Sequence, residues 1–186
     1  MLSKAWATLH RIEYDYQFKD GKFKRLKREC YNRGNGAAVL LFNANKESVI
    51  LTRQFRMPIY ENNQHEGMSI EVCAGAIDQN ESPENTILRE IEEEVGYKVS
   101  DIECVLEAYM SPGAMTEKLY LFVAEYSDDM KINEGGGLDS EDEEIEVIEI
   151  PFKEAINMVE TKAIIDAKTV LLLQYAQINN ILTCKN

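Results

Sequence analysis

The segment from Ser82 to Gly96 most constrains the fold, because it reads as a helix closed at both ends that carries Glu90, Glu92, Glu93 and Glu94 in little more than one turn. Ser82 can cap its start, Pro83 suits the first turn, and Gly96 stands where a left-handed C-terminal residue belongs. At about 100° per residue, Ile87, Leu88, Ile91 and Val95 share one face, which must be buried against another element. Glu90 and Glu94 then lie side by side at the edge of that face, with Glu93 flanking them and Glu92 pointing elsewhere. Like charges one turn apart cost an isolated helix roughly 0.2–0.5 kcal/mol per pair. The chain as a whole carries a formal charge of -13, so nothing general offsets this crowding. A cation bound at the helix edge would relieve it, and paired carboxylates are hard oxygen ligands suited to Mg2+.

Around the helix the chain is rich in strand-like runs. Ile12, Tyr14, Tyr16 and Phe18 alternate with polar residues, Asp20-Gly21 is a tight-turn signal, and the basic run KFKRLKRECY follows, so residues 9–31 read as a hairpin. Further strands are expected over residues 37–42, 48–55, 69–75, 101–110, 118–126 and 144–150, and further helices over 152–159 and from 166 or 167 to 179. Several strands are joined by turns too short for crossovers, which favours a mixed sheet with flanking helices, an α+β fold, over a doubly wound parallel sheet. The expected division is a hairpin segment over 1–34 and one globular domain over 35–186. The lysines of the hairpin read most simply as protection of an exposed strand edge.

The 186 residues, 45% hydrophobic, are enough for one compact core. No apolar run approaches the ~20 residues of a membrane span and no signal-like start is visible, so a cytoplasmic protein without membrane contact is expected. With 33 Asp and Glu against 20 Lys and Arg, the charge balance opposes nucleic-acid binding. Any phosphate handled here is expected on a small molecule, with metal ions supplying positive charge. Cys30, Cys73, Cys104 and Cys184 form no CxxC pair and read as buried free thiols, and His10 and His65 lack partners nearby in sequence.

Spacing adds chemistry to the acidic helix. Gly75, five residues, Glu81, seven residues, then Arg89-Glu90-Ile91-x-Glu93-Glu94-x-Gly96-Tyr97 matches every fixed position of the Nudix box, and the chain resembles the Nudix hydrolases. The resemblance implies a mixed sheet sandwiched between helices, and Mg2+-dependent attack of water on a nucleoside diphosphate linked to another group. It implies that Glu90 and Glu94 are the principal metal ligands, that the Ala74 carbonyl is another, that Glu93 is an auxiliary ligand, and that Arg89 orients the box glutamates. Glu81 is expected to be partly structural.

The flanks narrow the reading. YNRGNGAAVLLFN, RQFR, EVCAGAID, the segment around Pro112, GGGLDSEDEEIEV and DAKTVLLLQY resemble the GDP-mannose hydrolase branch of the ADP-ribose pyrophosphatase-like Nudix enzymes. The resemblance implies GDP-mannose as substrate, with ADP-ribose or another nucleotide sugar as the alternative and a non-catalytic nucleotide-sugar-binding module as the alternative of another class. It implies substrate contacts from Arg56, Ala74, Gly75, Ala76, Glu117, Asp142 and Lys168. The acidic run after three glycines has a composition suited to a mobile loop. From it the resemblance draws Glu143 as a metal ligand and Glu144 or Glu141 as the general base. A homodimer with exchanged N-terminal strands is also implied, in which Lys27, Arg28 and Glu29 of the partner subunit, with Trp6 as the stacking aromatic, complete the nucleotide site.

Overall fold

The computed structural model of the chain describes residues 1–62, 65–138 and 143–182. Its centre is strand β4 (Gly36–Asn43), whose sequence GAAVLLFN has no polar alternation because both faces are covered. Ala38 and Leu40 point into one core with Ala155 of α3 (Phe152–Glu160) and Leu172, Leu173 and Ala176 of α4 (Ala167–Ile178). Ala37, Val39 and Leu41 point into a second core with Ile87, Ile91 and Val95 of the acidic helix. The predicted apolar face of that helix is therefore the one packed on the sheet. Burying each of its large aliphatic side chains contributes roughly 1.5–3 kcal/mol.

The main sheet has the order β10-β5-β4-β9-β8, with β5 at Ser48–Phe55, β8 at Glu103–Ala108, β9 at Leu119–Glu125 and β10 at Glu146–Pro151. Only the β4–β9 pairing is parallel. The β4–β5 hairpin separates beyond Leu41↔Ile50. The run expected as one strand over 69–75 is two, β6 (Met68–Glu71) on β5 and β7 (Cys73–Ala76) on β4. The chain switches partners across the single residue Val72, so Glu71 and Ala74 come from different pairings only three positions apart. A short helix not expected from sequence, α1 (Met57–Glu61), follows β5 with Pro58 in its first turn.

The N-terminal segment is a separate three-stranded sheet of β1 (Ser3–Lys4), β2 (Thr8–Gln17) and β3 (Phe23–Asn32). Its turn closes through Gly21, whose φ of 83° only glycine adopts readily, with Phe18 N–H donating to the Lys22 carbonyl at 2.9 Å. One hairpin face is laced by ion pairs: Arg11–Glu29 at 3.5 Å, Lys27–Glu13 at 2.8 Å and Arg25–Asp15 at 2.8 Å. Its other face exposes Ile12, Tyr14 and Tyr16. Tyr31 ties the hairpin to the body, donating to the Ala114 carbonyl at 2.8 Å and accepting from Thr116 N–H at 3.0 Å.

Candidate active site

The acidic helix begins as predicted, with Ser82 Oγ accepting Asn85 N–H at 3.2 Å. It is α-helical from Pro83 to Glu90 and then widens into one π turn over Ile91–Val95, in which Gly96 N–H reaches back to the Ile91 carbonyl at 3.0 Å. Single π turns recur at functional sites because they re-aim side chains. Here the widened turn carries Glu94 inward to 2% exposure, where Oε2 accepts Ala74 N–H at 3.1 Å. Glu90 lies on Gly75: a Cβ at that position would sit 1.9 Å from Glu90 Oε1. Both glutamates thus meet strand β7 at consecutive residues, and Gly75 is required for the space its missing side chain leaves.

Arg89 holds the remaining acids, with Nη1 at 3.0 Å from Glu90 Oε1 and 2.8 Å from Glu93 Oε2, and Nη2 at 3.4 Å from Glu81 Oε2. Glu81 also accepts the Thr86 hydroxyl at 2.7 Å, fixing the loop before the helix. One guanidinium therefore relieves much of the crowding seen in the sequence, and Glu92, turned away, stands 3.9 Å from Lys98.

Burial pushes the Glu90 carboxyl up to about 7 against the pull of Arg89, with Glu93 and Glu143 adding repulsion. Burial likewise raises Glu94 to about 7; the Cys73 thiol and Ala74 N–H favour its ionised form, while Glu90 and Glu143 oppose it. Burial keeps the Cys73 thiol protonated. Glu143 is half-buried and within electrostatic reach of both helix acids, its Oε2 accepting Leu138 N–H at 3.4 Å. Glu144 is exposed, and Glu141 and Asp142 lie outside the described residues. Among the described residues no three acidic, histidine or cysteine side chains form a finished metal cage. The donor set nevertheless fits a hard divalent cation: a buried and a half-buried carboxylate that both resist ionising without one, and a third carboxylate nearby. Mg2+ keeps several waters and needs no complete protein cage.

Beside this cluster, Arg56 and Lys168 converge on one carboxylate that sequence reasoning passed over. Arg56 grips Glu71 with Nε at 3.0 Å and Nη2 at 2.9 Å, and Lys168 Nζ lies 2.6 Å from Glu71 Oε2 and 3.0 Å from Asp166 Oδ1. Burial alone would raise the Glu71 carboxyl; the hydrogen bonds of Arg56 and the charges of both cations bring it down to about 2. Asp166 also caps α4 and accepts the Thr169 hydroxyl at 2.7 Å, while Thr169 accepts Val72 N–H at 2.8 Å. Arg56 feels the charge of Glu94, which places the cation pair next to the box acids.

Glu117 is buried and pairs with Arg33 at 3.3 Å, and the Arg33 guanidinium stands 4.9 Å over the ring of the exposed Trp6. Arg33 was also missed; its only signal was a cation among glycine and asparagine in YNRGNG. Lys27 and Glu29 make their ion pairs inside the hairpin, and Arg28 Nη1 donates to the Lys27 carbonyl.

A family model described as the NUDIX domain matches residues 32–173. The chain belongs to the Nudix family. A second model, described as the GDP-mannose pyrophosphatase NudK N-terminal domain, matches residues 1–31 of this Nudix chain. Proteins named GDP-mannose pyrophosphatase from Shigella flexneri serotype 5b (strain 8401), Shigella dysenteriae serotype 1 (strain Sd197) and Escherichia coli O157:H7 are each 50% identical over 182 residues, spanning 98% of this chain and 94% of theirs. Nudix hydrolases generally use divalent cations, in keeping with the donor set at Glu90 and Glu94. No helix among the described residues of this Nudix chain is long and apolar enough to cross a membrane.

Proposed function

We propose that this Nudix chain hydrolyses the diphosphate bond of GDP-mannose, giving GMP and mannose 1-phosphate. The observation that carries the reading is identity of 50% along almost the whole chain to GDP-mannose pyrophosphatases, in a molecule where the buried Glu94 and the half-buried Glu90 meet on β7. Glu90, Glu94, the Ala74 carbonyl and Glu143 would hold Mg2+, with Glu93 in support. When bound, the metal neutralises charge on the diphosphate and lowers the barrier to attack.

The chain's own groups do the rest. Arg89 aims Glu90 and Glu93 by charge-assisted hydrogen bonds. Glu144 or Glu141 takes a proton from the attacking water. Arg56 and Lys168, set at a fixed spacing by Glu71, bind phosphate and sugar oxygens, and the planar fork of Arg56 suits two oxygens at once. Gly75 and Ala76 contact the substrate, Glu117 and Asp142 contact the sugar end, and Trp6 of the partner subunit stacks on the base. The apolar face of the hairpin supports a cytoplasmic homodimer organised as 1–34 and 35–186, in which Lys27, Arg28 and Glu29 of the partner subunit complete the nucleotide pocket.

The test is product analysis on GDP-mannose, GDP-glucose, ADP-ribose and ADP-glucose, each with Mg2+ and with chelator. The expected result is GMP and mannose 1-phosphate formed fastest and only with metal. Faster turnover of ADP-ribose overturns the guanine and mannose assignment, and absence of metal-dependent turnover with retained binding favours a non-catalytic module.

A further inference from the structure

The π turn leaves the last carbonyls of the acidic helix without their usual helical donors. A single following segment supplies them. Asn133 Nδ2 donates to the Glu92 carbonyl at 3.4 Å, Gly137 N–H to Glu93 at 3.2 Å and Gly136 N–H to Glu94 at 2.9 Å. Ile132 N–H donates to the Gly96 carbonyl at 2.8 Å. Gly135, Gly136 and Gly137 have φ of 67°, 112° and 85°, and a Cβ at Gly135 would lie 2.4 Å from the Glu94 carbonyl oxygen. The glycines that precede the acidic run are pinned to the box helix by their own backbone.

The same run touches Glu143. A Cβ at Gly137 would stand 2.7 Å from Glu143 Oε2 and 2.8 Å from Glu143 Cβ. Ile145 N–H donates to the Gly136 carbonyl at 3.1 Å, and Leu138 N–H to Glu143 Oε2 at 3.4 Å, so the Glu143 side chain folds back over Gly137. One stretch of backbone thus meets the helix that carries Glu90 and Glu94 on one side and the third carboxylate on the other.

We infer that Gly137 is a positioning residue: the space left by its missing side chain, on a backbone anchored to the carbonyls of Glu93 and Glu94, sets where the Glu143 carboxylate stands relative to the box glutamates. The inference rests on the reading that Glu143 serves the hydrolysis. A Cβ at 137 displaces Glu143 by about 1 Å, an error that costs a reaction about 100-fold.

The test compares Gly137→Ala with Gly21→Ala, a position of matching φ (83°) with nothing within 4 Å of an added Cβ, which isolates backbone strain from the clash. Gly137→Ala is expected to lower kcat about 100-fold with KM little changed, and to add little further loss in a Glu143→Gln background. In the metal-free protein, the Leu138 amide is expected to lose hydrogen-exchange protection as its acceptor swings away. Should the alanine variant fold poorly, Gly137→Asn tolerates positive φ while still placing a Cβ against Glu143. Equal losses from Gly137→Ala in both backgrounds, or an unchanged Leu138 amide, overturn the inference. Wild-type kcat in Glu143→Gln overturns instead the role of Glu143 on which it rests.

Discussion

The box helix and the N-terminal hairpin both crowd charge, and they resolve it in opposite ways. Around the helix, Arg89 serves three glutamates, Gly75 gives Glu90 room and Ala74 N–H meets Glu94. On the hairpin, opposite charges pair across strands in solvent while Ile12, Tyr14 and Tyr16 remain exposed on the other face. An isolated two-stranded hairpin is marginal in water, and an apolar stripe of this kind is a surface waiting for cover. The difference separates what one chain finishes alone from what a second copy is proposed to finish.

Predictions can break or sharpen that contrast. The largest effect is expected from Glu94→Gln, which removes a buried carboxylate proposed to bind the metal. Turnover should fall on the order of 1,000-fold while the oligomeric state by sedimentation stays unchanged; full activity would end the metal-site reading. Next is Gly75→Ala, which leaves all charges in place but drives Glu90 off β7. A loss of about 100-fold in kcat is expected, and a variant as fast as wild type would show that Glu90 needs no such cradle. On the hairpin, Tyr14→Lys or Tyr16→Lys should weaken dimerisation by about 30-fold each, as loss of an interface aromatic worth roughly 2 kcal/mol does. Sedimentation showing a monomer for the wild-type chain would remove the contrast altogether.

The pH dependence sharpens the contrast further, because Glu71 moves one way and Glu90 and Glu94 the other. Glu71 is held down at about 2, below its ordinary 4.5, so its stabilisation is present above pH 4.5 and is lost as pH falls through 2. The amount is on the order of 3 kcal/mol, read as a drop in Tm that Glu71→Gln abolishes. Glu94 and Glu90 are pushed up to about 7, so their contribution is fullest below 4.5 and is lost as pH rises through 7. The metal-free protein should therefore lose Tm between pH 5 and 8, and Mg2+ should restore it at pH 8, where both acids are ionised. The smallest effect is expected from Asp15→Asn on the hairpin's charged face, which should leave Tm unchanged because an exposed pair contributes little.

The box was legible because its demands are local: caps, one apolar face and fixed spacing all lie within 23 residues from Gly75 to Tyr97. Even so, the uniform helical pitch used to pair Glu90 with Glu94 is not the one present. The π turn carries Glu94 inward, and the two acids meet on β7 through Ala74 and Gly75. Glu71 was not legible. In SIEV it reads as the polar member of an alternating strand, while its partners Arg56 and Lys168 stand 15 and 97 positions away, and only the fold brings them together. Strand β6 and strand β7 merged in the sequence because nothing marks Val72 as the residue where pairing changes. The close contacts of the glycine run were not legible either: composition records freedom of the unfolded backbone, whereas positive φ also permits the closest contacts, and the fold uses Gly135 to Gly137 for those.

Strand β4 offers a last consequence. Its successive residues face alternate cores, one shared with α3 and α4 and the other with the box helix. Neither core can melt while the other stays intact, because losing either strips one face of the same strand. The acidic cluster therefore draws on the cooperativity of the whole domain, so heating should abolish catalysis and the native fold in a single transition rather than in two.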